Sequence, residues 1–198
     1  MELFFALLLV ALVWRGLNVR EQSGKVRFLA ERLQPFRVEK HMADVQVNTM
    51  RALSETDPER QASIWALTEG MQSDLCRQLN AFVLAFAKAD PNRTRVSRWA
   101  MAIPYLTRWV PSMSFDLRKV LGVHAEGLQY ACNLKVPVKE KAFVFMAEML
   151  LLQHSCHWFC RSKLIASARL WTQHQTPYAQ VLANVTPATR RSYAQLLS

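Results

Sequence analysis

The hydropathy pattern opens with an unbroken apolar run, Leu3 to Trp14 (LFFALLLVALVW), closed by Arg15. As a helix these twelve residues rise about 18 Å, short of the roughly 30 Å hydrocarbon core. Leu17 and Val19 extend the apolar reach, with Arg15 snorkelling. The flanks do not read as a cleaved signal. Glu2 stands where a signal peptide carries Lys or Arg, and Arg15-Gly16-Leu17-Asn18 lacks a small-x-small cleavage site. Residues 1–20 are therefore expected to form a membrane anchor.

Beyond the anchor, apolar positions recur at helical spacing. Val26, Leu29 and Leu33 continue the first helix as far as Gln34-Pro35, and a further helix is predicted over Val38 to Leu53. Thr56-Asp57-Pro58-Glu59 is a helix start: a capping side chain, a proline at the first turn, then an acid. From it Ile64, Met71, Leu75, Leu79, Phe82 and Phe86 make one stripe, ended by Asp90-Pro91-Asn92. Val96, Trp99, Ile103, Leu106 and Trp109 predict another helix, kinked at Pro104. Ser114 is the expected cap of a helix reaching Cys132, weakened by Gly122 and Gly127. Lys139 to His174 reads as one long central helix, apolar nearly all round from Ala142 to Leu152. Thr176-Pro177 and Thr186-Pro187 each open a short C-terminal helix. With no sustained period-2 alternation, the expected class is all-α: an anchor over 1–20 and a compact domain of about six helices over 21–198.

Composition adds a charge argument. The 198 residues carry 25 Lys+Arg against 15 Asp+Glu, a formal net charge of +10, with arginine outnumbering lysine seventeen to eight. Arg15, Arg20, Lys25 and Arg27 follow the apolar run, whereas Glu2 and the α-amine precede it. Positive residues stay on the cytoplasmic side, so the expected orientation is N-terminus out and domain in the cytoplasm, in a bacterial inner membrane. Residues 44–90 are acidic, with seven acids against four bases. Residues 91–115 hold Arg93, Arg95, Arg98 and Arg108 with no acid, and no acid follows Glu148. Arginine's planar fork suits carboxylates and phosphates. Arg15, Arg20, Arg27, Arg93, Arg95, Arg98, Arg108, Arg190 and Arg191 are therefore the candidate contacts to anionic lipid or to acidic faces of partner subunits. Arg93, Arg95 and Arg98 beside Trp99 also suggest a grip on a nucleic-acid backbone, although no nucleic-acid-binding motif accompanies them.

Candidate chemistry is sparse. There is no Gly-rich phosphate loop, no Gly-x-Ser-x-Gly and no His-Glu-x-x-His, so no catalytic residue is assigned. Cys156, His157 and Cys160 share a helical neighbourhood and are candidate metal ligands, with His124, Cys132 or His174 as a fourth donor. Their spacing is not that of a zinc knuckle, and Cys156 and Cys160 point with Met149, Leu164 and Trp171, so core packing is the leading reading and no cofactor is expected. Glu148, alone among apolar neighbours, is expected to pair with Arg98, Arg108 or Arg118. Six tryptophans enrich the chain in interface-type side chains. Together these features predict a non-enzymatic, membrane-anchored adaptor or structural subunit of a multiprotein assembly of secretion, conjugation, transport or respiratory type. A membrane-tethered nucleic-acid binder is the alternative, and a metal-binding protein the third.

Overall fold

The apolar run and the amphipathic stretch after it form one unbroken helix, α1 (Glu2–Leu33), in a computed structural model that covers residues 1–198. Nothing covers its first half, where a window of mean hydropathy 1.8 has no buried residue. By length and composition this helix is able to cross a membrane. Its far end is different: Phe28 and Leu29 are buried in the domain core. One rigid rod therefore joins an exposed apolar segment to a packed domain.

A single 3-10 turn at Gln34–Phe36, with Arg37 in the left-handed region (φ 51°), reverses the chain into α2 (Val38–Ser54). Asp57 caps α3 (Pro58–Phe86), its carboxylate accepting the Glu59 N–H at 3.0 Å, as the Thr-Asp-Pro-Glu signature predicts. After α5 (Leu117–Cys132) comes α6 (Val138–Cys160), which lies centrally, packed by α5 on one side and by α7 (Lys163–His174) and α8 (Tyr178–Asn184) on the other. The last helix, α9 (Pro187–Leu197), closes over α5. Nine helices and 79% helical content make the chain all-α; eight follow α1, where about six were expected beyond the anchor. The main core runs through Leu75, Leu79, Phe82, Leu121, Leu128, Phe145 and Leu151.

Three expected elements are different. Val96 to Trp109 is not a kinked helix: Arg95–Ser97 is a strand, β1, and only Leu106–Trp109 is helical, a single turn called α4. Ser114 does not cap a helix. Ser114–Asp116 is the second strand, β2, antiparallel to β1 with Val96 opposite Phe115, and the Ser114 hydroxyl donates to Pro111 O at 2.6 Å. Asp116 takes the capping role instead, accepting the Arg118 N–H at 2.9 Å. Prolines at 104 and 111 deny this region a continuous helix, and the ribbon satisfies the freed backbone groups. The long helix expected over Lys139–His174 breaks at Arg161. There Ser162 turns extended, and its hydroxyl accepts the Ile165 N–H at 3.3 Å to start α7. The break swings Leu164 and Trp171 into the open, so they do not share a core face with Cys156 and Cys160. Trp158 is buried under the ribbon. Its Nε1–H donates to Ser97 O at 2.9 Å, and its ring meets Phe115 edge-on.

Candidate functional site

Phe28 is the pivot between rod and domain. Its ring packs against Phe86 and Phe159 inside, while the guanidiniums of Arg32 and Arg93 lie over it at 3.7 and 4.3 Å from the centroid. Such stacking holds an arginine near an apolar wall without neutralising it. Beside Phe28 opens a cleft of about 310 Å³ between α1 and the 92–108 segment. Six cations line it: Arg20, Lys25 and Arg27 from α1, with Arg93, Arg95 and Arg108 opposite. Two carboxylates, Glu21 and Glu31, face them. Only Lys25 has a carboxylate within ion-pair distance, Glu21 at 2.9 Å. Five arginines thus share one cleft with no acidic partner, which makes it strongly attractive to an anionic group.

Of the nine arginines predicted from sequence, the fold gathers Arg20, Arg27, Arg93, Arg95 and Arg108 here. The remaining four lie elsewhere. Arg15 is exposed on the apolar half of α1. Arg98 is half-buried and donates to Ser112 O at 2.9 Å, bracing the ribbon turn. Arg190 donates to Ala183 O and Val185 O, capping the end of α8, while its neighbour Arg191 is exposed without an ion pair. Arg95 spends part of its donor set on Pro111 O and Ser114 Oγ. The Arg93, Arg95 and Arg98 trio is therefore divided between the cleft and the ribbon rather than set in one row.

The cysteine and histidine candidates scatter. No group of three or more His, Cys, Asp and Glu side chains is placed to share a metal ion. Cys156 and His157 line a separate, largely apolar cavity of about 310 Å³ between α2, α3 and α6. His174 instead bridges Gln153 and Gln46, and Cys132 lies against Cys76. Burial pushes the Cys156 thiol well up and Cys160 to about 11, which opposes the thiolate form a metal requires. His124 is wholly buried with its Nε2 at 2.8 Å from Ser155 Oγ, which in turn meets Tyr193 OH at 3.1 Å. His154 pairs with Ser167 at 3.0 Å and stacks on Tyr178. With Ser155 and His124 1% and 0% exposed, this chain is an interior hydrogen-bond network.

Glu148 finds no arginine. Arg98 braces Ser112, Arg108 lies over the Tyr105 ring, and Arg118 forks onto Asp116 with Nη2 at 2.7 Å from Oδ2. Glu148 is wholly buried and accepts the Thr186 backbone N–H at 2.9 Å, at the N-terminus of α9. Desolvation raises its pKa, against the lowering pull of the Thr186 and Thr189 groups. The long reach from 148 to 186 gives this partner no signature in local spacing.

No family model, curated protein or solved structure matches this chain. The geometry therefore carries the reading alone. Two contacts that position the cleft escaped sequence reasoning. The Tyr105 N–H donates to Glu21 Oε2 at 2.6 Å, and Arg161 Nη1 donates to Gln22 Oε1 at 2.8 Å. Both join residues more than eighty positions apart, so neither periodicity nor motif reveals them. The signal available was composition: Glu21 is one of two acids amid the basic stretch that follows the apolar run as far as Arg32.

Proposed function

We propose that this protein is a non-enzymatic, membrane-anchored structural or adaptor subunit of a multiprotein assembly in a bacterial inner membrane. In this reading α1 inserts with its N-terminus out, and the helical domain lies in the cytoplasm. The arginine cleft docks an anionic group at the membrane-proximal end of the domain. One observation carries the proposal: the same continuous helix is fully exposed and apolar at one end and built into the core at the other. An exposed apolar surface of that size costs too much in water for a soluble monomer to keep uncovered. Supporting it, the bases that follow the run fit the positive-inside rule, and the unpaired arginines collect within a few turns of where the run ends.

Fractionation tests it. The full-length chain is expected in the membrane pellet, resistant to salt and alkaline carbonate, and in mild detergent it is expected to migrate in a species larger than protein plus micelle. Recovery in the soluble fraction as a monodisperse monomer overturns both the anchor and the assembly role.

A further inference from the structure

The hydrogen bonds that hold the domain to α1 also fix what sits at the point where the rod leaves the domain. Tyr105 N–H bonds Glu21, and Arg161 bonds Gln22, so two distant segments grip the same turn of α1. The Leu164 N–H donates to Ala100 O at 3.0 Å, joining those segments to each other. The result is a half-collar against one side of α1 at residues 18–25, where Trp99, Met101 and Ile103 lie with Asn18, Glu21 and Gln22 around one small cavity. The collar begins only about 6 Å along the helix axis from Trp14, at Asn18.

The outward side chains of this collar are unusual for a soluble surface. Trp99, Met101, Trp109 and Leu164 are 45%, 62%, 74% and 58% exposed. In the adjoining cleft Arg20, Arg93 and Arg108 have no carboxylate in ion-pair distance, and residues 91–115 contain no acid. Large amphipathic rings, a flexible thioether and unpaired arginines at the end of an apolar helix match the chemistry of the headgroup–acyl boundary of an anionic leaflet. A protein partner would need to reach this patch through the lipid headgroups that surround an inserted α1.

We infer that the collar, residues 98–109 with Leu164, is a second membrane contact. It seats Trp99 and Trp109 in the interface of the leaflet that α1 leaves and sets the arginines against anionic headgroups. The domain then holds the bilayer at two places and keeps a fixed tilt, which a single flexible tether does not provide. This inference rests on insertion of α1, and the test separates the two.

The full-length protein is placed in nanodiscs of phosphatidylcholine and phosphatidylglycerol carrying brominated acyl chains, which quench only nearby tryptophans. Trp14 reports the anchor; Trp99 and Trp109 report the collar. The W14F variant is expected to remain quenched, and W14F/W99F/W109F is expected to lose that quenching. Both collar tryptophans are exposed, so phenylalanine there leaves the core intact. An unquenched W14F protein alongside a quenched W99F/W109F protein overturns the collar contact and leaves the anchor standing. Absence of quenching in the wild type overturns both. Equal quenching of W14F in discs of phosphatidylcholine alone overturns the preference for anionic headgroups.

Discussion

The carboxylate of Glu21 receives the backbone N–H of Tyr105 at 2.6 Å and the ammonium of Lys25 at 2.9 Å. Tyr105 sits in the left-handed region at φ 57°, a conformation a bulky residue adopts only when its surroundings hold it. A charge-assisted bond to an otherwise free N–H supplies that hold. One acid on the rod thus fixes the segment that carries Arg108 and Trp109.

Replacing Glu21 tests this tether. Glu21→Ala removes the acceptor and is expected to cost about 1.5–3 kcal/mol, the range for a charge-assisted bond. Glu21→Gln retains a carbonyl acceptor for Tyr105 and gives up only a partly exposed ion pair, for which about 1 kcal/mol or less is expected. Denaturant unfolding ranks the two, and amide exchange over residues 99–110 is expected to accelerate in the alanine variant. Equal effects of Ala and Gln would assign the role to Lys25 instead.

The two glycines of α5 separate by what surrounds them. A Cβ on Gly127 would collide with Thr189 Oγ1 and stand 2.5 Å from Glu148 Oε2, in a buried, packed site. Gly127→Ala must displace α9 or the carboxyl and is expected to destabilise by about 1–3 kcal/mol. Gly122 meets nothing within 4 Å, so Gly122→Ala gains helix propensity, about 0.5–1 kcal/mol. Thermal unfolding is expected to shift in opposite directions for the two alanine variants.

These glycines show what the sequence discloses and what it conceals. Both looked like weaknesses of one helix, because local propensity is all that a run of residues reveals. The helix stands, and Gly127 is required by the approach of a helix sixty residues later. In the same way the long apolar first helix, the α2 and α3 boundaries and the proline-led C-terminal helices were legible, since each is written in adjacent residues. The ribbon was not: three-residue strands leave too short a pattern, and their stripe of Val96, Trp99 and Leu106 has helical spacing. For the site, five of nine candidate arginines share the cleft because they lie in two segments that tertiary contacts bring together. Arg98 and Arg190 were indistinguishable from them in sequence, yet brace carbonyl groups of their own fold.

Glu148 sets a prediction for pH above the ordinary carboxyl range. Its raised pKa means the folded state favours the neutral acid. The resulting stability is complete below the ordinary carboxyl value and is lost as pH rises through the raised folded value. Glu148→Gln keeps an acceptor for the Thr186 N–H and cannot ionise. It is expected to match or exceed wild-type stability at neutral pH and to flatten the decline. Glu148→Ala leaves that N–H unsatisfied beside a void and is expected to cost about 2–4 kcal/mol. Urea titrations of the wild type and the two variants across pH distinguish them, and a stability gap between wild type and Glu148→Gln that does not widen as pH rises above the ordinary carboxyl value would contradict the assignment.

Further into acid the buried histidines dominate and the sign reverses. Burial lowers His124 and His154 to about 3, with His154 further depressed by Lys163 and the pair repelling each other when charged. A base with a depressed folded pKa contributes stability that is present above its unfolded value, near 6.5, and lost as pH falls toward the folded one. At pH 5 each of the two costs about 2 kcal/mol, because the unfolded chain is protonated there and the folded one is not. That sum approaches the whole stability of an ordinary domain. Glu148 is a single group of opposite sign, and its gain, complete only below the ordinary carboxyl value, offsets part of this loss. His157, which burial lowers to about 4, adds a third group of the same sign, so the domain is expected to unfold cooperatively at mildly acidic pH with uptake of about three protons. His124→Gln is expected to move the midpoint to lower pH, since a neutral amide keeps a partner for Ser155 without the charging penalty. Circular dichroism against pH measures the midpoint, and an unchanged midpoint in that variant would exclude His124 as a trigger.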